Sequence, residues 1–181
     1  MTPAGVEPDQ GPVGRKGAEK MAEEELRALL YGAIKNRAMM YYYIYRELRQ
    51  ELGEEKAAEI MKRAIYARGL DVGKTLAQYA PADLEGLKNA FLEKVVPDGG
   101  NMFAPEVLRC DAEELEIKLR QCPLKDAYRE AGLSDKEMET MLHIAAQVDY
   151  GTFEGAGFAF SAETWQPGKP GCCHLHIRPK K

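Results

Sequence analysis

Three of the four cysteines and two of the three histidines lie in two short stretches far apart in the chain. These are Cys122-Pro123-Leu124 and Cys172-Cys173-His174-Leu175-His176-Ile177. Thiols and imidazoles serve as nucleophiles, acid/base groups and ligands of soft or borderline metals. A fold that joins the two stretches therefore builds a reactive site. Side chains alternate along a strand, so an extended segment over 172–178 puts Cys172, His174 and His176 on one face and Cys173, Leu175 and Ile177 on the other. The second set reads as a core face with a thiol at its upper end; the first reads as a surface or the wall of a pocket. Ligands at i, i+2 and i+4 span about 13 Å, so Cys172, His174 and His176 cannot easily reach one metal together, although two of them could. The chain has neither a Cys-x-x-Cys pair nor a His-Glu-x-x-His helix. A divalent metal is thus one candidate cofactor, with these three residues as its candidate ligands.

Further candidates lie elsewhere. Cys122 falls where a strand stops and a helix begins, where amide dipoles favour a thiolate, so it reads as a nucleophile or else a small buried hydrophobe. Asp149 falls inside the apolar arc of a helix opened by Ser134, among Met138, Met141, Leu142, Ala145, Ala146 and Val148. Desolvation and the negative end of that helix would both raise its pKa and suit it to general acid/base work, whereas fraying of the helix before it would leave a solvated turn residue. Arg37 sits within the apolar stripe of the first helix, where it could hold a substrate carboxylate, pair with an internal acid or reach out to solvent. Tyr41-Tyr42-Tyr43-Ile44-Tyr45 sends rings around most of the helix, for the core, a ligand pocket or a subunit contact.

These residues need elements to hold them. The chain has 181 residues, 45% apolar and 30% charged, enough for one domain with a real core. A net charge of −4 gives no basis for binding nucleic acid or an anionic membrane. No apolar run approaches the roughly 18 residues of a membrane span, and the N-terminus lacks the apolar core of a secretory signal, so a cytoplasmic protein with reduced thiols is expected. Residues 1–20, with Pro3, Pro8, Pro12 and four glycines, read as a disordered leader, and 21–181 as a single domain.

Helical periodicity starts at Ala22, with Leu26, Leu30, Ala33, Met40, Tyr41, Ile44 and Leu48 on one stripe. A second helix is predicted over 54–68, closed by Gly69, then a shorter one over 71–79 and another from Pro81. The period then changes: Leu115, Ile117 and Leu119 alternate with Glu116, Lys118 and Arg120 as a half-buried strand, with a short strand at 107–109 before it. Ser134-Asp135-Lys136-Glu137 is a capping box for a helix reaching about Val148, and Phe158 and Phe160 mark a further strand. The sum is an α+β domain, its helical N-terminal half packed on a mostly antiparallel sheet of three to four strands from the C-terminal half.

With those residues in view, the chain resembles the L-2-amino-thiazoline-4-carboxylic acid hydrolase family over most of residues 22–178. The likeness runs through residues 42–57, from Tyr42-Tyr43-Ile44-Tyr45-Arg46-Glu47 to Lys56-Ala57, and through residues 60–69, from Ile60-Met61-Lys62 to Arg68-Gly69. It continues in Cys122-Pro123-Leu124, Gly132-Leu133-Ser134, Asp149 and the Cys173-His174-Leu175-His176-Ile177 strand. The resemblance implies a hydrolase that opens a cyclic amidine-like ring bearing a carboxylate. Under it, Asp149 or His174 is the acid/base group and Cys122 or Cys173 the nucleophile or a pocket thiol. Arg37 anchors the carboxylate, with Tyr41 and His176 as further substrate contacts. The competing expectation is a non-catalytic sensor of a small molecule or metal using the Cys/His strand, loosely similar to the vinyl-reductase-like ligand-binding domains. In either case the partner is a small molecule, and the tyrosine-rich helix is a candidate homo-oligomer surface.

Overall fold

The computed structural model describes residues 12–95 and 102–180. Helices fill the first half: α1 (Pro12–Leu52), α2 (Glu54–Gly73), a 3-10 turn (Ala77–Tyr79) and α3 (Leu84–Ala90), which runs on into a π-helical turn (Phe91–Val95). The second half holds β1 (Pro105–Cys110), β2 (Leu115–Leu119), α4 (Pro123–Glu130), α5 (Asp135–Ala145), α6 (Gln147–Gly155), β3 (Phe158–Glu163) and β4 (His174–Pro179). The four strands form one antiparallel sheet in the order β1-β2-β4-β3. This is the α+β arrangement that the change of period predicted. No helix among the described residues is long and apolar enough to cross a membrane.

The sheet is two-sided. Leu115, Ile117, Leu119, Phe158, Leu175 and Ile177 are buried on the face that α3 and α6 cover. Glu116, Lys118, His174 and His176 alternate with them and stay half-buried on the outer face. Strand periodicity alone accounts for this division.

Helix α1 departs from the expected stripe. Its inward residues are Ile34, Ala38 and Tyr45, whereas Leu26, Met40 and Ile44 are 66%, 52% and 45% exposed. Apolar residues lie on more than one side of this helix, so periodicity alone could not choose the face. The helix also begins at Pro12, so residues 12–20 of the expected leader are helical; residues 1–11 lie outside the described residues.

Helix α2 corrects a second expectation, because Gly69 does not end it. Gly69 and Gly73 are buried against Gly151 and Gly155 of α6, and the two backbones touch. A Cβ on Gly69 would lie 2.3 Å from the Val148 carbonyl, and one on Gly151 would lie 2.1 Å from the Tyr66 carbonyl. Glycine is required here for close helix approach, the logic of paired small residues four apart. The contact fixes α6, and hence Asp149, against the helical half.

The capping box at Ser134 forms as predicted: its hydroxyl accepts from the Glu137 amide while the Glu137 carboxylate accepts from the Ser134 amide at 3.1 Å. The helix it opens stops at Ala145. A turn at Ala146 starts α6, so Asp149 stands in a first helical turn, not a last one.

Candidate active site

The backbone first joins the two reactive stretches. The Leu119 amide donates to the Cys173 carbonyl at 2.9 Å, and the Cys172 amide donates to the Leu119 carbonyl at 3.0 Å. The end of β2 therefore lies beside the entry to β4, and three residues later Cys122 forms the N-cap of α4. The Cys122 and Cys172 thiols make a hydrogen-bonded pair, and the Cys172 and Cys173 sulfurs are 3.5 Å apart. All three are buried and unbridged. Lys125, buried on α4, ties the segment down by donating to the Gly171 carbonyl at 2.7 Å.

Their environment keeps the Cys122 and Cys172 thiols protonated. Hydrogen bonding with Cys172 and burial push Cys122 well above the ordinary thiol range, and the amides of Lys125 and Leu124 pull it down by less. The depressed pKa expected from the helix N-terminus is thus overridden by desolvation and by a neighbouring thiol. For Cys172, the bond to Cys122 acts downward, but the contact with Cys173 and burial outweigh it. The fourth thiol, Cys110, lies elsewhere, 3.2 Å from a Glu85 carboxylate oxygen.

A second group draws its side chains from α1, α4 and α6. Burial raises the Asp149 carboxyl to about 7, although part of the residue remains accessible. The Arg37 guanidinium opposes that rise, as the start of α6 does through its dipole. Placing Asp149 at the positive end of a helix corrects the expected dipole contribution: desolvation alone carries the shift. Arg37 is not enclosed by the apolar stripe; it is exposed at the edge of the packed face, and among the described residues no carboxylate lies within ion-pair distance of it. Half-buried Tyr41 stands one turn further along α1. Tyr128 is fully buried, and its hydroxyl has no hydrogen-bond partner. Burial holds the Tyr128 phenol far above its usual value, with Cys122 and Tyr41 adding to the rise and Arg37 opposing it.

His174 and His176 do not join this cluster. Alternation along β4 turns them to the outer sheet face while Leu175 and Ile177 face the core. There His174 Nε2 lies 2.6 Å from Glu116 Oε1, and His176 Nδ1 lies 2.9 Å from Glu114 Oε1. His174, the expected alternative to Asp149 as acid/base group, and His176, an expected substrate contact, therefore lie among the carboxylates of the outer face. Cys172 also leaves the expected face, because at the entry to β4 its side chain turns to Cys122; Glu116 from the neighbouring strand stands with the histidines instead.

Residues 31–177 match the profile of the L-2-amino-thiazoline-4-carboxylic acid hydrolase family. The chain belongs to this family. No curated protein sequence matches it. The span matching the hydrolase family takes in both clusters and leaves out the first part of α1.

Sequence reasoning missed Tyr128, Lys125, Glu114 and Glu116. The pattern of Leu124, Ala127 and Tyr128 marks the buried face of α4, which would have brought the tyrosine in. The two glutamates alternate with the core residues of β2, so their face was readable, but their pairing with the last strand was not. A cleft of about 130 Å³, lined by Tyr45, Arg49, Glu54, Lys136, Glu137 and Thr140, shares no residue with either cluster. An Arg49–Glu137 ion pair at 3.7 Å occupies its wall, and it is smaller than the roughly 300 Å³ at which ligand pockets begin.

Proposed function

We propose that the chain is a hydrolase that opens a small cyclic amidine-like ring of the 2-amino-thiazoline-4-carboxylate type. The observation that carries this reading is the desolvated Asp149 carboxyl, titrating near neutrality beside an Arg37 guanidinium that no carboxylate neutralises among the described residues. A group with a pKa near the working pH serves both halves of a hydrolysis, as base and then as acid. Arg37 binds the substrate carboxylate, and the unpartnered Tyr128 hydroxyl offers a hydrogen bond to the amidine. Tyr41 closes the α1 side.

The carboxylate of Asp149 takes a proton from a water molecule, which adds to the carbon between sulfur and nitrogen. The protonated Asp149 then returns that proton to the departing ring atom. Release of sulfur gives a ureido acid with a free thiol; release of ring nitrogen gives a thiocarbamate with a free amine. Either product contains one water more than the substrate. The protonated Cys122 and Cys172, with buried Cys173 beside them, act as soft pocket walls beside the ring sulfur and not as attacking thiolates.

The test is incubation with 2-amino-thiazoline-4-carboxylate, with products separated by mass. A product heavier by one water, carrying either a new thiol or a new amine, supports the reading. An inert substrate, with other cyclic amidines also unchanged, favours the non-catalytic sensor of a small molecule or metal. That second reading draws on the half-buried histidine–glutamate group of the outer sheet face.

A further inference from the structure

The geometry points to a divalent transition-metal site on the outer face of the sheet, formed by Glu116, His174 and His176, with Glu114 orienting His176. It is independent of the Asp149 cluster. One ligand atom from each of the three residues lies within 4.8 Å of the other two. Among the described residues, no other three histidine, cysteine or acidic side chains gather as closely. Bonds of about 2.0–2.1 Å around a tetrahedral ion set ligand atoms roughly 3.4 Å apart, so closure needs only side-chain rotation.

The backbone supplies the arrangement. His174 and His176 stand two residues apart on β4 and so share a face, with ring centroids 4.4 Å apart. Glu116 pairs directly with His176 across the β2–β4 ladder. The 2.6 Å contact between His174 Nε2 and Glu116 Oε1 is the one an ion would replace. His176 gives Nδ1 to Glu114, which leaves Nε2 as its donor.

Glu114 itself is already engaged. Its Oε1 also accepts from Arg178 at 2.7 Å, and its Oε2 accepts from Arg109 at 3.1 Å. Two guanidiniums balance this carboxylate, making it a fixed partner for the imidazole, the carboxylate–histidine–metal pattern that orients metal ligands. Lys118, in register with His174, carries the opposing charge on this face, and its ammonium reaches the Cys172 carbonyl at 3.4 Å. On the other side of His174, in register on β3, stands Glu163. Two imidazoles and one carboxylate suit zinc, cobalt, nickel or iron rather than calcium or magnesium, and three protein ligands leave a position open for water or a ligand.

The test uses the full chain, stripped with chelator and titrated with Co²⁺, read by its visible d–d bands and by displacement with Zn²⁺. One equivalent is expected, with affinity lowered at least 10-fold in His174→Gln, His176→Gln and the near-isosteric Glu116→Gln. Glu114→Gln should lower it about 10- to 100-fold with circular dichroism unchanged. Metal affinity should be the same in Cys172→Ser and Cys173→Ser. The proposal is overturned by no binding below about 1 mM, or by binding that survives His174→Gln/His176→Gln. It is equally overturned by loss of binding in the cysteine variants with a thiolate-to-cobalt charge-transfer band in the wild type.

Discussion

Replacing Asp149 by Asn keeps the size of the side chain and removes its charge, and the consequence for stability can be worked through. The carboxyl titrates near 3.8 when solvated and near 7 in the fold. At 1.36 kcal/mol per pH unit, that difference corresponds to roughly 4 kcal/mol once the group is ionised. The residue keeps some solvent contact, which reduces the figure to about 2–4 kcal/mol. Between pH 4 and 7 the folded protein holds a proton that the unfolded chain gives up, so stability falls as pH rises through that interval. Above pH 7 the whole penalty stands. The carboxamide of the Asp149→Asn variant cannot ionise, so the variant and the wild type should be nearly equal at pH 4. By pH 8 the variant should be more stable by about 2–4 kcal/mol. Every other titrating group is shared, so the difference isolates Asp149. Urea unfolding at several pH values, followed by the fluorescence of buried Trp165, measures it. A difference that does not change with pH would refute the desolvation of this carboxyl.

Other consequences can be measured alongside. Gly151→Ala puts a methyl 2.1 Å from the Tyr66 carbonyl and forces α2 and α6 apart; a loss of about 3 kcal/mol, or roughly 6–12 °C in Tm, is expected in thermal melts. Unchanged melting would mean that the two helices do not pack backbone to backbone. Arg37→Ala should raise KM for a carboxylated ring at least 10-fold and leave a ring lacking the carboxylate unaffected; equal effects on both would remove Arg37 as the anchor. In the native protein, Cys110 should be labelled by a thiol reagent first, with Cys122, Cys172 and Cys173 reacting only slowly at pH 8 because they are buried. Rapid labelling of all four would contradict that placement.

Much of the architecture could be read in the chain because local chemistry agreed with it. The Ser134 capping box, the alternation through Leu115, Ile117 and Leu119, and Pro123 after a strand each fix their element without help from elsewhere. Where reading failed, the missing information was tertiary. Gly69 looks like a helix stop until Gly151 is placed against it. Leu26, Met40 and Ile44 look like core until the packed side of α1 is known. Asp149 was singled out through its apolar neighbours, and it is desolvated, but the break at Ala146 reversed the helix end on which it sits. The joining of Cys122 to Cys172 and the parting of both histidines from them follow from strand pairing and from the turn into β4. Neither leaves a mark in residue order. Glu114 and Glu116 were invisible for the same reason: a carboxylate on a strand gains meaning only when its neighbouring strand is known.

The most direct test of the central claim is the pH profile of kcat/KM for 2-amino-thiazoline-4-carboxylate in the wild type and in Asp149→Asn. The wild type should show a limb with an apparent pKa near 7, and the variant should lose that limb with a fall of about 10²–10⁴ in rate. Undiminished turnover in Asp149→Asn, with the same limb present, would contradict the assignment of Asp149 as the acid/base group.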